Sequence, residues 1–133
     1  MPRRLFRLWL VWFVLVWVVS FSWVGFTPAP QWGRVHWVPF SDPADKFRDV
    51  FANILLFFPF GFLVARRRPG ARGLMTIIAL ALAISVSAEA MQLFSTVRHP
   101  SATDVTAAVW GAVAGAVTTL SLRQTSKPPT WTD

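Results

Sequence analysis

The side chains able to do chemistry gather in the second half of the sequence. Glu89 stands alone inside an apolar run, residues 74–93. Ser85, Glu89, Gln92 and Thr96 follow at i, i+4, i+7 and i+11, which puts them on one helical face. Asp49 and Asn53 are likewise four apart, Asp104 opens another apolar run, and Arg98 lies just before it. A carboxylic acid in apolar surroundings can act as general acid or base. A guanidinium can hold a phosphate or carboxylate bidentately, and the amides of Asn53 and Gln92 can orient a polar ligand. Lys46 and Arg48 add positive charge ahead of Asn53.

Other chemistries find little support. Ser85 and Ser87 have no adjacent His, so a nucleophilic serine is not indicated. Glu89 and Asp104 together are too few ligands for a metal, and His36 and His99 have no second His or Cys near them. The chain has no cysteine, which removes disulfides and zinc–thiolate sites. No metal or cofactor is expected. The plainer reading of Glu89 and Gln92 is an interhelical hydrogen bond. For Asp104 it is the favourable dipole at a helix start.

The composition fixes the setting for these groups. The 133 residues are 54% hydrophobic and 14% charged, with mean hydropathy +0.48. A soluble domain carries about 25% charged residues, so this chain cannot cover a water-facing surface. The net charge of +7 suggests a nucleic-acid partner at first sight. The basic residues, however, stand in short groups between long apolar runs, and no nucleic acid is expected. The chain reads as one membrane domain, residues 1–133.

Four apolar segments are expected to be transmembrane helices, at about 8–26, 50–65, 74–93 and 104–122, giving an all-α membrane bundle. A bilayer core of roughly 30 Å needs about 20 helical residues, so the second segment must borrow residues 47–49. Pro59 within it removes a backbone donor and predicts a kink after Leu55. The first run exceeds the 7–15 residues of a signal-peptide core and lacks a clean small-x-small end, so an uncleaved anchor is expected. Residues 124–133 read as a polar tail.

Charge sets the orientation. Arg3, Arg4, Arg7, Arg66, Arg67, Arg68, Arg72, Arg123 and Lys127 lie on one side, nine of the 13 Lys and Arg; Arg34, Lys46, Arg48 and Arg98 lie on the other. The positive-inside rule places both termini in the cytoplasm and the polar cluster near the outer surface. The loop before segment two is rich in Pro and Trp, and Trp23, Trp32 and Trp37 are expected to hold it on the membrane surface. Gly111 and Gly115 form a small-xxx-small pair that permits close helix approach. The expected packing sets this face on segment three and draws Asp104 and Arg98 toward Glu89.

Taken in order, Asn53-Ile-Leu-Leu-Phe-Phe-Pro-Phe-Gly-Phe-Leu63, Ser85-x3-Glu89-x2-Gln92, Arg98-x2-Ser101-x2-Asp104-Val105 and Gly111-x3-Gly115 resemble the VanZ-like family over about residues 45–118. Asp45-Lys46 is a looser match to an Asp-Lys pair of some members, in which a His stands at the position of Asp49. Where the family has an Asn three residues before the first Gly of the pair, this chain has Ala108. The resemblance implies a small bacterial helical membrane protein. The family takes its name from a protein linked to resistance to the glycopeptide teicoplanin.

Two functional expectations follow. In the first, the protein sits in the bacterial cytoplasmic membrane and its outward polar site binds an anionic lipid or a lipid-linked cell-wall intermediate. Asn53, Ser85, Gln92, Arg98, Lys46 and Arg48 would then be ligand-binding residues. In the second it is an enzyme acting on a lipid at the outer leaflet, with Glu89 as general acid or base and Asp104 beside it.

Overall fold

The computed structural model describes residues 7–8, 11–12, 14–15, 18, 25–41 and 47–125. Among them are three long helices, α1 (Phe47–Arg67), α2 (Ala71–Gln92) and α3 (Ala102–Thr125), and a short 3-10 turn at Trp32–Arg34. No strand occurs among the described residues, only two isolated β-bridges. The three helices have 21, 22 and 24 residues and are apolar enough to cross a membrane. At 1.5 Å per residue they reach roughly 30–36 Å, and the chain is a multi-pass all-α membrane protein. Most of the expected first segment, 8–26, lies outside the described residues, as do 42–46 and 126–133.

The second expected segment gains its length at both ends. Asp49 falls in the first turn of α1 and Arg66 and Arg67 in its last turn, matching the helix dipole at each end. The helix continues through Pro59. Proline leaves the carbonyl of Leu55 without its usual donor, and the Trp12 indole N–H donates to the next carbonyl, Leu56 O, at 2.7 Å.

A three-residue turn, Arg68, Pro69 and Gly70, reverses the chain into α2. Pro69 biases Arg68 out of the helical region. Gly70 sits at φ 92°, ψ −177°, a conformation open essentially only to glycine. A Cβ at Gly73 would run into the Arg68 carbonyl, so the turn closes tightly only with glycine there.

The main contact is between α1 and α3, which corrects the packing expected for the Gly pair. A Cβ added at Gly61, Gly111 or Gly115 would lie 2.8 Å from Ala112 Cα, Ile54 Cα or Phe62 N respectively. The small face of α3 therefore meets the backbone of α1, not α2. Glycine on both helices is what lets the main chains approach so closely. Phe57, Phe60, Ile77, Ala81, Ala108, Ala112 and Ala116 form the buried core around this crossing. Thr119 Oγ1 donates to Phe62 O at 3.0 Å, and the Arg123 guanidinium donates to Arg66 O. Trp110, 68% exposed, points away from the core, as a lipid-facing residue does.

Residues 25–41 form a strap across the opposite end of the bundle from the Arg68–Gly70 turn. Thr27 N–H donates to Phe94 O at 2.9 Å, Gln31 N–H to Leu93 O at 2.8 Å and Thr96 N–H to Gly25 O at 2.7 Å. Further along, His36 N–H donates to Pro100 O and Ala102 N–H to His36 O, both at 2.9 Å. Arg34 reinforces the strap by donating to Thr96 O at 2.8 Å. Trp32 and Trp37 are exposed on it; Trp23 lies outside the described residues.

Candidate functional site

At the strap end residues of all three helices line a polar pocket of about 160 Å³. Helix α1 contributes Asp49 and Asn53, four residues apart on one face. From α2 come Ser85, Glu89 and Gln92, the face marked by their i, i+4, i+7 spacing. The 93–101 connection supplies Arg98, and the first turn of α3 supplies Asp104. Thr96 leaves this face. Helix α2 ends at Gln92, and the Thr96 hydroxyl donates to Gly25 O at 3.0 Å instead.

Glu89 is the best-anchored group. Its Oε2 accepts the backbone N–H of Ser101 at 2.8 Å, and its Oε1 accepts from Gln92 Nε2 at 3.3 Å. Arg98 and Asp104 lie close enough to act on it electrostatically. Ser101 itself caps α3, its hydroxyl accepting Thr103 N–H at 3.1 Å, as an N-cap serine does for the second helical residue. One carboxylate thus joins the end of α2 to the start of α3.

Arg98 is positioned through its main chain. Ser95 Oγ accepts the N–H groups of Val97 at 3.2 Å and Arg98 at 3.1 Å, so a buried serine sets the turn that carries Arg98 over the pocket. The Ser85 hydroxyl donates back to Ala81 O at 2.7 Å, which fixes its rotamer at the pocket floor. Ala108, one turn below Asp104 on the same face of α3, is fully buried in the core. At the position for which the resemblance implies an amide, a methyl group is packed in the core, outside the pocket lining.

Two cationic candidates do not join this group. Arg48 is 87% exposed at the side chain and pairs with Asp49 at 3.7 Å, outside the pocket lining. Lys46 lies outside the described residues. The pocket therefore carries three carboxylates, Asp49, Glu89 and Asp104, against the Arg98 guanidinium. Among the described residues no three His, Cys, Asp or Glu side chains are grouped so as to hold a metal ion.

Ser95 and Ser101 escape a reading based on side-chain chemistry. Ser101 had a usable signal, since Ser101-x-x-Asp104 is the pattern of a helix-capping box. Ser95 had none.

A second cavity of about 420 Å³ adjoins the first. It is apolar and lies between α2, α3 and the strap, with Trp32, Trp37, Val86, Ala90, Leu93 and Val105 among its walls. Glu89 lines both cavities.

Residues 5–123 match the family model described as VanZ/LLP1. No curated protein and no solved structure shows significant similarity to the chain. The match takes in the strap, α1, α2, α3 as far as Arg123 and each residue of the polar pocket. The chain belongs to the VanZ/LLP1 family.

Proposed function

We propose that this protein binds the polar headgroup of a membrane lipid, or of a lipid-linked cell-wall intermediate, at the outer leaflet of the bacterial cytoplasmic membrane. In this reading the chain crosses the membrane four times, with both termini in the cytoplasm and the strap end outside. The nine-to-four division of basic residues supports that orientation.

The observation carrying the proposal is the pocket in which Asn53, Gln92 and Arg98 stand among Asp49, Glu89 and Asp104. Arg98 supplies a phosphate contact. Three carboxylates beside one guanidinium disfavour a purely anionic ligand and favour one that pairs phosphate with an ammonium group. Arg98 would take the phosphate, Asp49 and Asp104 the ammonium, and the amides the remaining polar atoms. Arg48, exposed at the start of α1, and Lys46 just before it would add positive charge near the rim. A part in glycopeptide resistance follows only if the ligand is a cell-wall intermediate.

A second reading rests on Glu89. A carboxylate held by one backbone N–H and exposed to a pocket can exchange a proton with a bound lipid, which would make the protein a membrane enzyme with Glu89 as general acid or base and Asp104 assisting. Mass spectrometry of lipids that co-purify with the wild-type protein and with Glu89→Gln separates the two. Loss of a specific headgroup class from the purified variant supports binding. Accumulation of an unprocessed lipid in cells carrying the variant supports catalysis. Identical lipid profiles in both would contradict both readings.

A further inference from the structure

We propose that the apolar cavity beside the polar pocket holds the hydrocarbon tail of the same lipid, so that Glu89 stands where headgroup meets tail. This inference rests on the headgroup reading and extends it to an amphiphile bound in two compartments.

The two cavities differ in chemistry and share a wall. On α2 the polar pocket takes Ser85, Ala88, Glu89 and Gln92, whereas the apolar one takes Val86, Glu89 and Ala90, with Leu93 just past the helix end. The helix thus turns a polar edge to one side of Glu89 and an apolar edge to the other. On α3 the division repeats, with Asp104 on the polar side and Val105 on the apolar side. The Glu89 carboxylate, bonded to Ser101 N–H at 2.8 Å, spans the gap between the helices at that border.

Size and depth point to a tail. The cavity, about 420 Å³, falls within the roughly 300–1,000 Å³ of small-ligand sites. Val86 is six residues before Gln92, so the cavity reaches about 9 Å down the helix from its strap end. Val86 is also 52% exposed on the helix surface, which leaves the cavity open sideways to the hydrocarbon. A chain can enter there without leaving the bilayer. Trp12 packs on the core, is bonded to α1 at Leu56 and does not line this α2–α3 cavity.

The test uses the full-length protein in nanodiscs of phosphatidylethanolamine and phosphatidylglycerol, doped with a phosphatidylethanolamine bearing a diazirine in its acyl chain. After illumination, labelled residues are located by peptide mass spectrometry. Labelling is expected to concentrate on Val86, Ala90 and Val105, above that at Met75 and Val117, which are exposed elsewhere on the helices. Ala90→Trp, which fills the cavity, should lower labelling at Val86 and Val105 by about tenfold while leaving Met75 unchanged, since overpacking a fitted site is costly. Val105→Trp serves the same purpose if Ala90→Trp does not fold, and retained labelling at Met75 reports the fold. Uniform labelling around the helices, or unchanged labelling in a folded cavity-filling variant, overturns the inference. Arg98→Ala separates the two claims. Cavity labelling that persists there at wild-type level upholds the tail site and counts against the headgroup contact.

Discussion

Glu89 Oε2 accepts the backbone N–H of Ser101 at 2.8 Å, binding the last turn of α2 to the residue that caps α3. The acceptor is a side chain inside an apolar helix and the donor is a main-chain group on a buried residue. Each therefore removes a cost the other would carry in hydrocarbon. The same carboxylate accepts from Gln92 and borders both cavities, so one group contributes to the helix assembly and to the candidate site.

Removing that acceptor should be felt in stability. Glu89→Ala removes the side-chain acceptor of the Ser101 N–H, and the expected loss is about 1–3 kcal/mol. Glu89→Gln keeps an acceptor oxygen for Ser101 and should retain most of that stability. Thermal unfolding of both variants in detergent checks this. Equal melting of wild type and Glu89→Ala would mean the bond is not structural.

The α1–α3 crossing should tolerate no added bulk. Gly111→Leu or Gly115→Leu drives carbon into the backbone of α1 at Ile54 or at Phe58 and Phe62. Each should cost about 3 kcal/mol or more and sharply reduce folded yield by size-exclusion chromatography. Trp110→Leu, at an exposed position, should leave the yield unchanged. Comparable yields for all three would contradict the packing.

That crossing shows what the sequence could and could not convey. The Gly111–Gly115 spacing identifies a close-packing face. It does not say which helix fills it, because the complementary glycine, Gly61, stands two residues after Pro59 in the shortest of the four apolar runs. The polar cluster was more legible, since helical periodicity places Ser85, Glu89 and Gln92 on one face and burial cost requires that face to turn inward. The strap was not legible. Its attachment runs through main-chain hydrogen bonds such as Thr27 N–H to Phe94 O, and these carry no side-chain signature. The place of Arg48 was not legible either: it stands in the open beside Asp49, at the rim and outside the pocket lining.

The α1–α2 turn offers a backbone test. Gly70→Ala forces a side chain into a glycine-only region and should cost about 1–3 kcal/mol. Gly73→Ala should be at least as damaging, because its Cβ meets the Arg68 carbonyl. Gly33→Ala, with open space around it, is the neutral control. Melting temperatures should fall for the first two variants alone.

Orientation can be read with single cysteines, since the chain has none of its own. Cysteines at Ser41 and Val97, both exposed on the strap end, should react with an impermeant thiol reagent in intact cells. One at Gly70 should react only after permeabilisation. The reverse pattern would place the polar pocket on the cytoplasmic side.

Isothermal titration of the purified protein with the soluble headgroup glycerophosphoethanolamine asks whether the polar pocket binds a group combining phosphate and ammonium. Saturable binding is expected, weakened about tenfold or more by Arg98→Lys, which loses a bidentate contact, and weakened also by Asp104→Asn. Glycerophosphoglycerol, which lacks the ammonium, should bind less well. Binding that is absent in the wild type, or that is unaffected by both substitutions, would contradict the headgroup reading.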